Sequence, residues 1–242
     1  MRGLAVFDID GTLTDTNAVD DECYLQAVGE ALGIGVPSLD WSDAPHVTDS
    51  ALLRWLAERH ACELDASLES AIMQRFVKLL QQQLRESPNR FGAVRGAAGI
   101  RAALENRGWH VALATGGWAM SAELKLGAIG FDMTDVAIAT GSDAVTRGAI
   151  VRLAHEKAMA KYGTFGRVVS VGDGVWDART AAEVGWPFVG IASGAQADRL
   201  RDCGAATILP DLEDVSAVCA ALDAATIPRP RPATDGTHTA LA

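Results

Sequence analysis

A chain of 242 residues sits near the upper end of what one domain carries, so one domain with an insertion, or two unequal domains, is expected. Hydrophobic residues at 49% and charged residues at 21% describe a globular chain, and no apolar run nears the roughly 20 residues of a membrane span. The formal charge of −10 opposes phosphate backbones and anionic lipid alike, so neither nucleic acid nor a membrane is expected as a partner.

In chain order, Leu4 to Phe7 is a short apolar run ending in Asp8-Ile9-Asp10-Gly11-Thr12, the pattern of a buried strand entering a polar turn. A carboxylate interrupts this run before a signal-peptide core could form. Cys23, Cys62, Cys203 and Cys219 show no CxxC pair and no histidine at metal spacing. Reduced thiols and a cytoplasmic setting are expected. Residues 16–89 contain no convincing strand and three helical patterns: Tyr24, Val28 and Leu32 in the first, Leu52 and Leu56 in the second, and Leu68, Ile72, Phe76, Leu80 and Leu84 in the third. This segment reads as an inserted helical unit. It holds twelve acidic against five basic residues, which places −7 of the total −10 in about a third of the chain.

From there strands and helices alternate. Apolar runs stand at 110–115, 136–139, 168–173 and 188–191, with a weaker one at 206–209, and helical spacing falls at 97–107, 118–129, 147–162, 175–185, 196–203 and 213–223. Continuously apolar strands between helices indicate a parallel sheet covered on both faces, hence a doubly wound α/β core. The expected division is 1–15 and 90–225 as the α/β core, 16–89 as the helical insertion, and 226–242 as a disordered tail, because that stretch carries Pro228, Pro230 and Pro232 and no apolar period.

In such a sheet ligands gather at the carboxyl ends of the strands. The first strand ends in Asp8 and Asp10, two apart in extended chain, so both carboxylates are expected on one side. The fourth ends in Gly172-Asp173-Gly174, with Asp177 one helical turn on. If the two strands are neighbours, up to four carboxylates crowd one spot and require a cation. Oxygen-only ligands favour a hard ion such as Mg²⁺. The second strand ends in Thr115-Gly116-Gly117, a hydroxyl and bare backbone N–H groups suited to phosphate oxygens. Metal, carboxylates and a phosphate cradle together suggest phosphoryl transfer.

Asp8-Ile9-Asp10-Gly11-Thr12-Leu13, then Thr115-Gly116, then Gly172-Asp173-Gly174-Val175-Trp176-Asp177 resemble the haloacid dehalogenase-type hydrolase superfamily over about residues 4–223. A helical insertion after the first motif resembles the cap of the subfamily that includes phosphoglycolate phosphatases and β-phosphoglucomutases. The resemblance implies that Asp8 is a nucleophile forming an aspartyl phosphate. Asp10 would be the general acid and base. Mg²⁺ would be held by the Asp8 carboxylate, the Asp10 backbone carbonyl and Asp173, with Asp177 in support, and Thr115 and the Gly116 N–H would bind the transferring phosphoryl group. The family also places a lysine shortly before the fourth strand. This chain has Arg147 at about that distance, at the start of a helix, so Arg147 takes the role, while Lys157 and Lys161 belong to the surface.

The implied activity is Mg²⁺-dependent hydrolysis of a small phosphorylated metabolite, phosphoglycolate- or sugar-phosphate-like, by a monomer or homodimer. A dehalogenase lacks a carboxylate where Asp10 stands. A phosphonatase needs a cap lysine, and the cap has only Lys78. A β-phosphoglucomutase shares Thr14-Asp15-Thr16 but carries a histidine where this chain has Asp20, and this phosphotransferase is the alternative. A non-catalytic phosphate-binding regulator is a further one. Trp118 and Trp176 flank motifs, and His46 is the histidine best placed to touch a substrate.

Overall fold

The computed structural model of the protein describes residues 3–35, 41, 44 and 46–229. The chain opens with β1 (Gly3–Phe7) and β2 (Thr14–Asp15), followed by helices α1 (Asn17–Leu32), α2 (Asp49–Arg59) and α3 (Ala66–Glu86). After a 3-10 turn at Pro88–Arg90 come β3 (Gly92–Ala93), α4 (Ala97–Glu105), β4 (Trp109–Ala114), α5 (Ala119–Ala128) and β5 (Ala137–Ala139). The remainder alternates as α6 (Arg147–Tyr162), β6 (Arg167–Gly172), α7 (Val175–Val184), β7 (Phe188–Ile191), α8 (Gly194–Asp202), β8 (Thr207–Leu209) and α9 (Val215–Ala224). Among the described residues, no helix is long and apolar enough to cross a membrane.

Six strands form one parallel sheet in the order β5-β4-β1-β6-β7-β8, with helices on both faces. Successive side chains of a strand point to opposite faces, and β1 uses both. Ala5 and Phe7 join the core built with Ile100 and Leu104 of α4, Leu126 of α5 and Leu222 of α9. Leu4 and Val6 join a second core with Ile150, Val151 and Ala154 of α6. Every residue of β1 is therefore buried, which is why this strand reads as a continuous apolar run.

Helices α1 to α3 share their own apolar cluster, in which Tyr24, Phe76 and Trp118 meet. Tyr24 and Phe76 stand edge to face at 5.7 Å. The stripe along α3 faces this cluster, with Ile72, Phe76 and Leu80 buried. Trp118 comes from the strand-end turn before α5 and is wholly buried, so it joins the helical layer to the sheet rather than facing a ligand. The two ends of the helical segment are tied by the short antiparallel pair β2–β3, in which Thr14 faces Ala93 and Asp15 faces Gly92. This pair is too short to leave a period in the sequence.

The expected disorder from residue 226 onward is corrected for its first four residues. The Phe188 N–H, which opens β7, donates to the Thr226 carbonyl at 3.1 Å. The chain then passes so close to Gly204 that a Cβ there would lie 2.2 Å from the Arg229 backbone. A strand-end donor needing an acceptor holds the segment where composition alone signalled no structure. The rest of the expected tail, 230–242, lies outside the described residues. All four cysteines are free; Cys23 is buried and the others are partly so.

Candidate active site

β1 and β6 are neighbours with Phe7 opposite Val171, so the segments that follow them leave the sheet side by side. The Asp8 N–H donates to the Val171 carbonyl at 2.9 Å, which continues the ladder one residue beyond β1. Asp177, in the first turn of α7, accepts from the Gly174 N–H at 3.0 Å and lies so close to Gly172 that a Cβ there would be 2.5 Å from its carboxylate. Carboxylate oxygens of Asp8, Asp173 and Asp177 all lie within 4.8 Å of one another, and the three residues are buried.

Arg147 is the cation of this group. It is the first residue of α6, whose N-cap Thr146 accepts from the Ala149 N–H, and it points back toward β1. One guanidinium nitrogen donates to Asp8 Oδ1 at 2.7 Å and also to Asp177 Oδ1. Another donates to the Val47 carbonyl at 3.2 Å. Lys157 and Lys161 of the same helix sit at its outer end, where Lys157 pairs with Asp143 and Lys161 with Asp135.

Asp10 lines the same cavity as Asp8, although its carboxylate is not among the three that lie within 4.8 Å of one another. The ladder ends at Asp8, one residue beyond β1. The N–H groups of Thr12 and Leu13 donate to the Ile9 carbonyl, Gly11 takes a φ of +78°, and the chain turns over residues 8–13. The Asp10 carboxylate reaches the start of α1 and helix α5 as well as the cavity. It accepts from Thr16 Oγ1 at 2.8 Å and from Lys125 Nζ at 2.7 Å. Lys125 is wholly buried and also donates to Asp20 Oδ1 at 2.5 Å.

The turn after β4 supplies the third part. Thr115 continues the sheet through its N–H to the Ala139 carbonyl, and its hydroxyl accepts from the Gly117 N–H at 3.0 Å. The start of α2 is seated on this turn. The Asp49 N–H donates to the Gly116 carbonyl at 3.0 Å, and the Trp118 N–H donates to Asp49 Oδ2 at 2.8 Å. A Cβ on Gly116 would lie 2.5 Å from the Val47 carbonyl, so the contact requires glycine. Asp8, Asp10, Thr115, Gly116 and Arg147 all line one cavity of about 150 Å³. Trp176 lines the same cavity, whereas His46 lines a neighbouring depression beside Arg179.

Lys125, Asp49 and Trp41 carry no motif and were not signalled as site residues. Lys125 did leave a trace, since it lies on the same helical face as Ala122 and Leu126, a position where a lysine requires a buried counter-ion.

Crowding shapes the electrostatics. Burial and the neighbouring Asp177 push the Asp173 carboxyl up to about 8, with Arg147 opposing. Burial and Asp177 likewise raise Asp8 well above the carboxylate range against the pull of Arg147. Burial alone would lower the Arg147 and Lys125 pKa values, but the carboxylates around each outweigh it, so both stay charged. Burial raises Asp20 to about 8 despite Lys125, and Asp49 to about 7.

A carboxyl raised by folding favours its protonated form. The stability it contributes is complete below its unfolded pKa and is lost as pH rises through the folded one. For Asp49 and Asp20 that loss runs from about pH 4 up to about 7 and about 8. Without added cations, the melting temperature is expected to fall between pH 6 and pH 9. Asp49→Asn keeps an acceptor for the Trp118 N–H and should make that fall shallower; an unchanged slope in thermal melts would show that Asp49 does not titrate there.

No curated protein matches the sequence. Solved structures share the fold. A hydrolase from Pseudomonas syringae aligns with a TM-score of 0.69 at 19% identity, over 89% of this chain and 96% of the other. CbbY from Rhodobacter sphaeroides in complex with phosphate aligns with a TM-score of 0.65 at 22% identity, over 92% and 100%. A predicted phosphoglycolate phosphatase from Haemophilus somnus 129PT aligns with a TM-score of 0.61 at 17% identity, over 89% and 97%. At such identities these likenesses speak for the fold alone. The family is settled by a sequence model, that of the haloacid dehalogenase-like hydrolases, which matches residues 3–185 and so takes in the β1 turn, Thr115, Arg147 and the Asp173–Asp177 segment: the chain belongs to this hydrolase family.

Proposed function

We propose that the protein is a Mg²⁺-dependent phosphatase acting on a small phosphorylated metabolite through an aspartyl phosphate. The observation that carries this reading is the Asp8 carboxylate, held at 2.7 Å by Arg147 on the rim of a cavity that Thr115 and Gly116 also line. Asp8 attacks phosphorus and the ester bond breaks. Asp10 gives its proton to the leaving oxygen, then takes one from the water that hydrolyses the acyl phosphate. Arg147 offsets the charge of nucleophile and phosphoryl group together and, as a fork, fixes their relative orientation. Thr115 and the Gly116 N–H hold phosphoryl oxygens.

The carboxylates fit a hard divalent ion. Asp8, Asp173 and Asp177 offer only oxygen, and with one guanidinium among three carboxylates two negative charges remain uncompensated. Asp8, the Asp10 carbonyl and Asp173 would hold Mg²⁺, with Asp177 in support; when bound, the ion neutralises phosphoryl charge. In this reading residues 16–89 are the cap and 1–15 with 90–225 the catalytic core. The four free cysteines suit a reducing, cytoplasmic setting.

Release of inorganic phosphate from p-nitrophenyl phosphate with Mg²⁺ tests the reading, and loss of that release on chelation tests the metal. In the same assay Arg147→Ala should lower kcat/KM by about 10³-fold, on the scale of an arginine that stabilises phosphoryl charge. Lys157→Ala, whose ammonium pairs with Asp143 on the surface, should leave it within about twofold. The reverse pattern would assign the neutralising cation to Lys157. Phosphoryl transfer to a second hydroxyl, without net phosphate release, would instead identify the phosphotransferase that Thr14-Asp15-Thr16 suggested.

A further inference from the structure

Besides Arg147, the lining of the cavity is acidic and aromatic: Asp20, Asp21 and Asp49 line it together with the indoles of Trp41 and Trp176. Each carboxylate has one protein donor. Asp20 Oδ1 accepts from Lys125 at 2.5 Å, Asp21 Oδ1 from Trp41 Nε1 at 2.8 Å, and Asp49 Oδ2 from the Trp118 N–H at 2.8 Å. No buried side-chain oxygen among the described residues lacks a hydrogen-bond partner, so the acceptor capacity left on these carboxylates is at accessible oxygens. Among the described residues, Lys125 is the ammonium that pairs with this wall, through Asp20, and Asp10 already shares it.

Arg147 is the only basic residue lining the cavity among the described residues, and it is committed to Asp8 and Asp177. Among the described residues, the part of a substrate beyond its phosphate therefore meets three carboxylates and no free cation. Buried like charges at this range cost energy unless a positive charge joins them, and a second anion would add to the cost. Burial is the main cause that pushes Asp20 up to about 8 and Asp49 up to about 7, and the neighbouring carboxylates add to it. Indole faces add attraction for an ammonium but none for a carboxylate.

Resting on the hydrolase reading above, we propose that the cavity selects phosphate monoesters whose alcohol carries an amine, with that ammonium seated among Asp20, Asp21, Asp49 and the two indoles, and rejects esters bearing a second anionic group. Selectivity of this kind uses attraction for one substrate and repulsion of its competitor.

Three esters of nearly equal size isolate the charge: 2-aminoethyl phosphate, 2-hydroxyethyl phosphate and carboxymethyl phosphate. With p-nitrophenyl phosphate turnover as the control for the hydrolase reading, kcat/KM is expected to fall about tenfold from amine to hydroxyl and about a hundredfold or more from amine to carboxylate. Asp21→Asn removes a wall carboxylate that does not touch Lys125, and should shrink the amine-to-carboxylate ratio about tenfold. Thermal shifts of the Asp8→Asn protein with the same three esters rank binding without turnover and should follow the same order. Equal values for the three esters, or a preference for the hydroxyl or carboxylate ester in either measurement, would overturn the proposal. Absent turnover of p-nitrophenyl phosphate alongside the expected binding order would instead remove the hydrolase reading and leave the amine site standing.

Discussion

Asp8→Asn yields a folded protein whose phosphatase kcat is lower by about 10⁴-fold or more, as expected when a covalent nucleophile is lost. The substitution is isosteric, and the amide oxygen can still accept from Arg147, so position and packing are kept while the attacking carboxylate is removed. One negative charge also leaves a cluster where burial and Asp177 already push the Asp8 carboxyl upward. The variant should therefore melt no lower than the parent, and an unchanged or higher melting temperature separates lost chemistry from lost structure. Rapid-quench trapping supplies the second readout: the parent should accumulate an acid-stable phosphoenzyme that the variant lacks. Activity within tenfold of the parent would assign the attack to another group.

Lys125→Met is expected to act through stability. The lysine is wholly buried on α5 and donates to both Asp10 and Asp20, two residues that belong to the β1 turn and to α1. Methionine fills similar volume and leaves both carboxylates without their shared cation. Removing one partner of a buried ionic group costs about 3–5 kcal/mol, which for a chain of this length lowers the melting temperature by on the order of 10 °C. Adding Asp20→Asn to Lys125→Met should restore part of the loss, because one of the two stranded charges is gone. A double variant as unstable as the single one would show that the lysine acts by shape rather than by charge. Calorimetric or circular-dichroism melts of parent, single and double variants decide this as a coupling energy.

The sheet was legible in the chain because most positions of its inner strands are buried and read as short, largely apolar runs. The bounds of α6 were legible too, since Thr146 and Arg147 open it with a cap that needs no tertiary partner. Proximity of Asp8 to Asp173 followed from treating the first and fourth runs as neighbours, and these strands do pair. The hydrogen-bond partners of Asp10 were not legible. Alternation along a strand says nothing once the chain turns, and the turn depends on Gly11 and on hydrogen bonds to the Ile9 carbonyl. The Lys125–Asp20 pair joins residues 105 apart in sequence, a contact that no local pattern encodes. Likewise the acidic content of the helical segment was visible as a number, whereas the gathering of Asp20, Asp21 and Asp49 on one cavity wall required the packing of α1 and α2 onto the turn after β4.

The two-residue ladder between Thr14–Asp15 and Gly92–Ala93 has a consequence for how such a chain diversifies. Departure and return of the helical segment are spliced at adjacent points, so the span that the core must bridge is the same whatever lies between them. Closing a longer excursion adds only about 0.6 kcal/mol per doubling of its length. Grafts of other sizes and shapes could therefore be exchanged at this seam while Asp8, Arg147 and Asp173 keep their mutual spacing, which lets recognition evolve independently of the reacting groups.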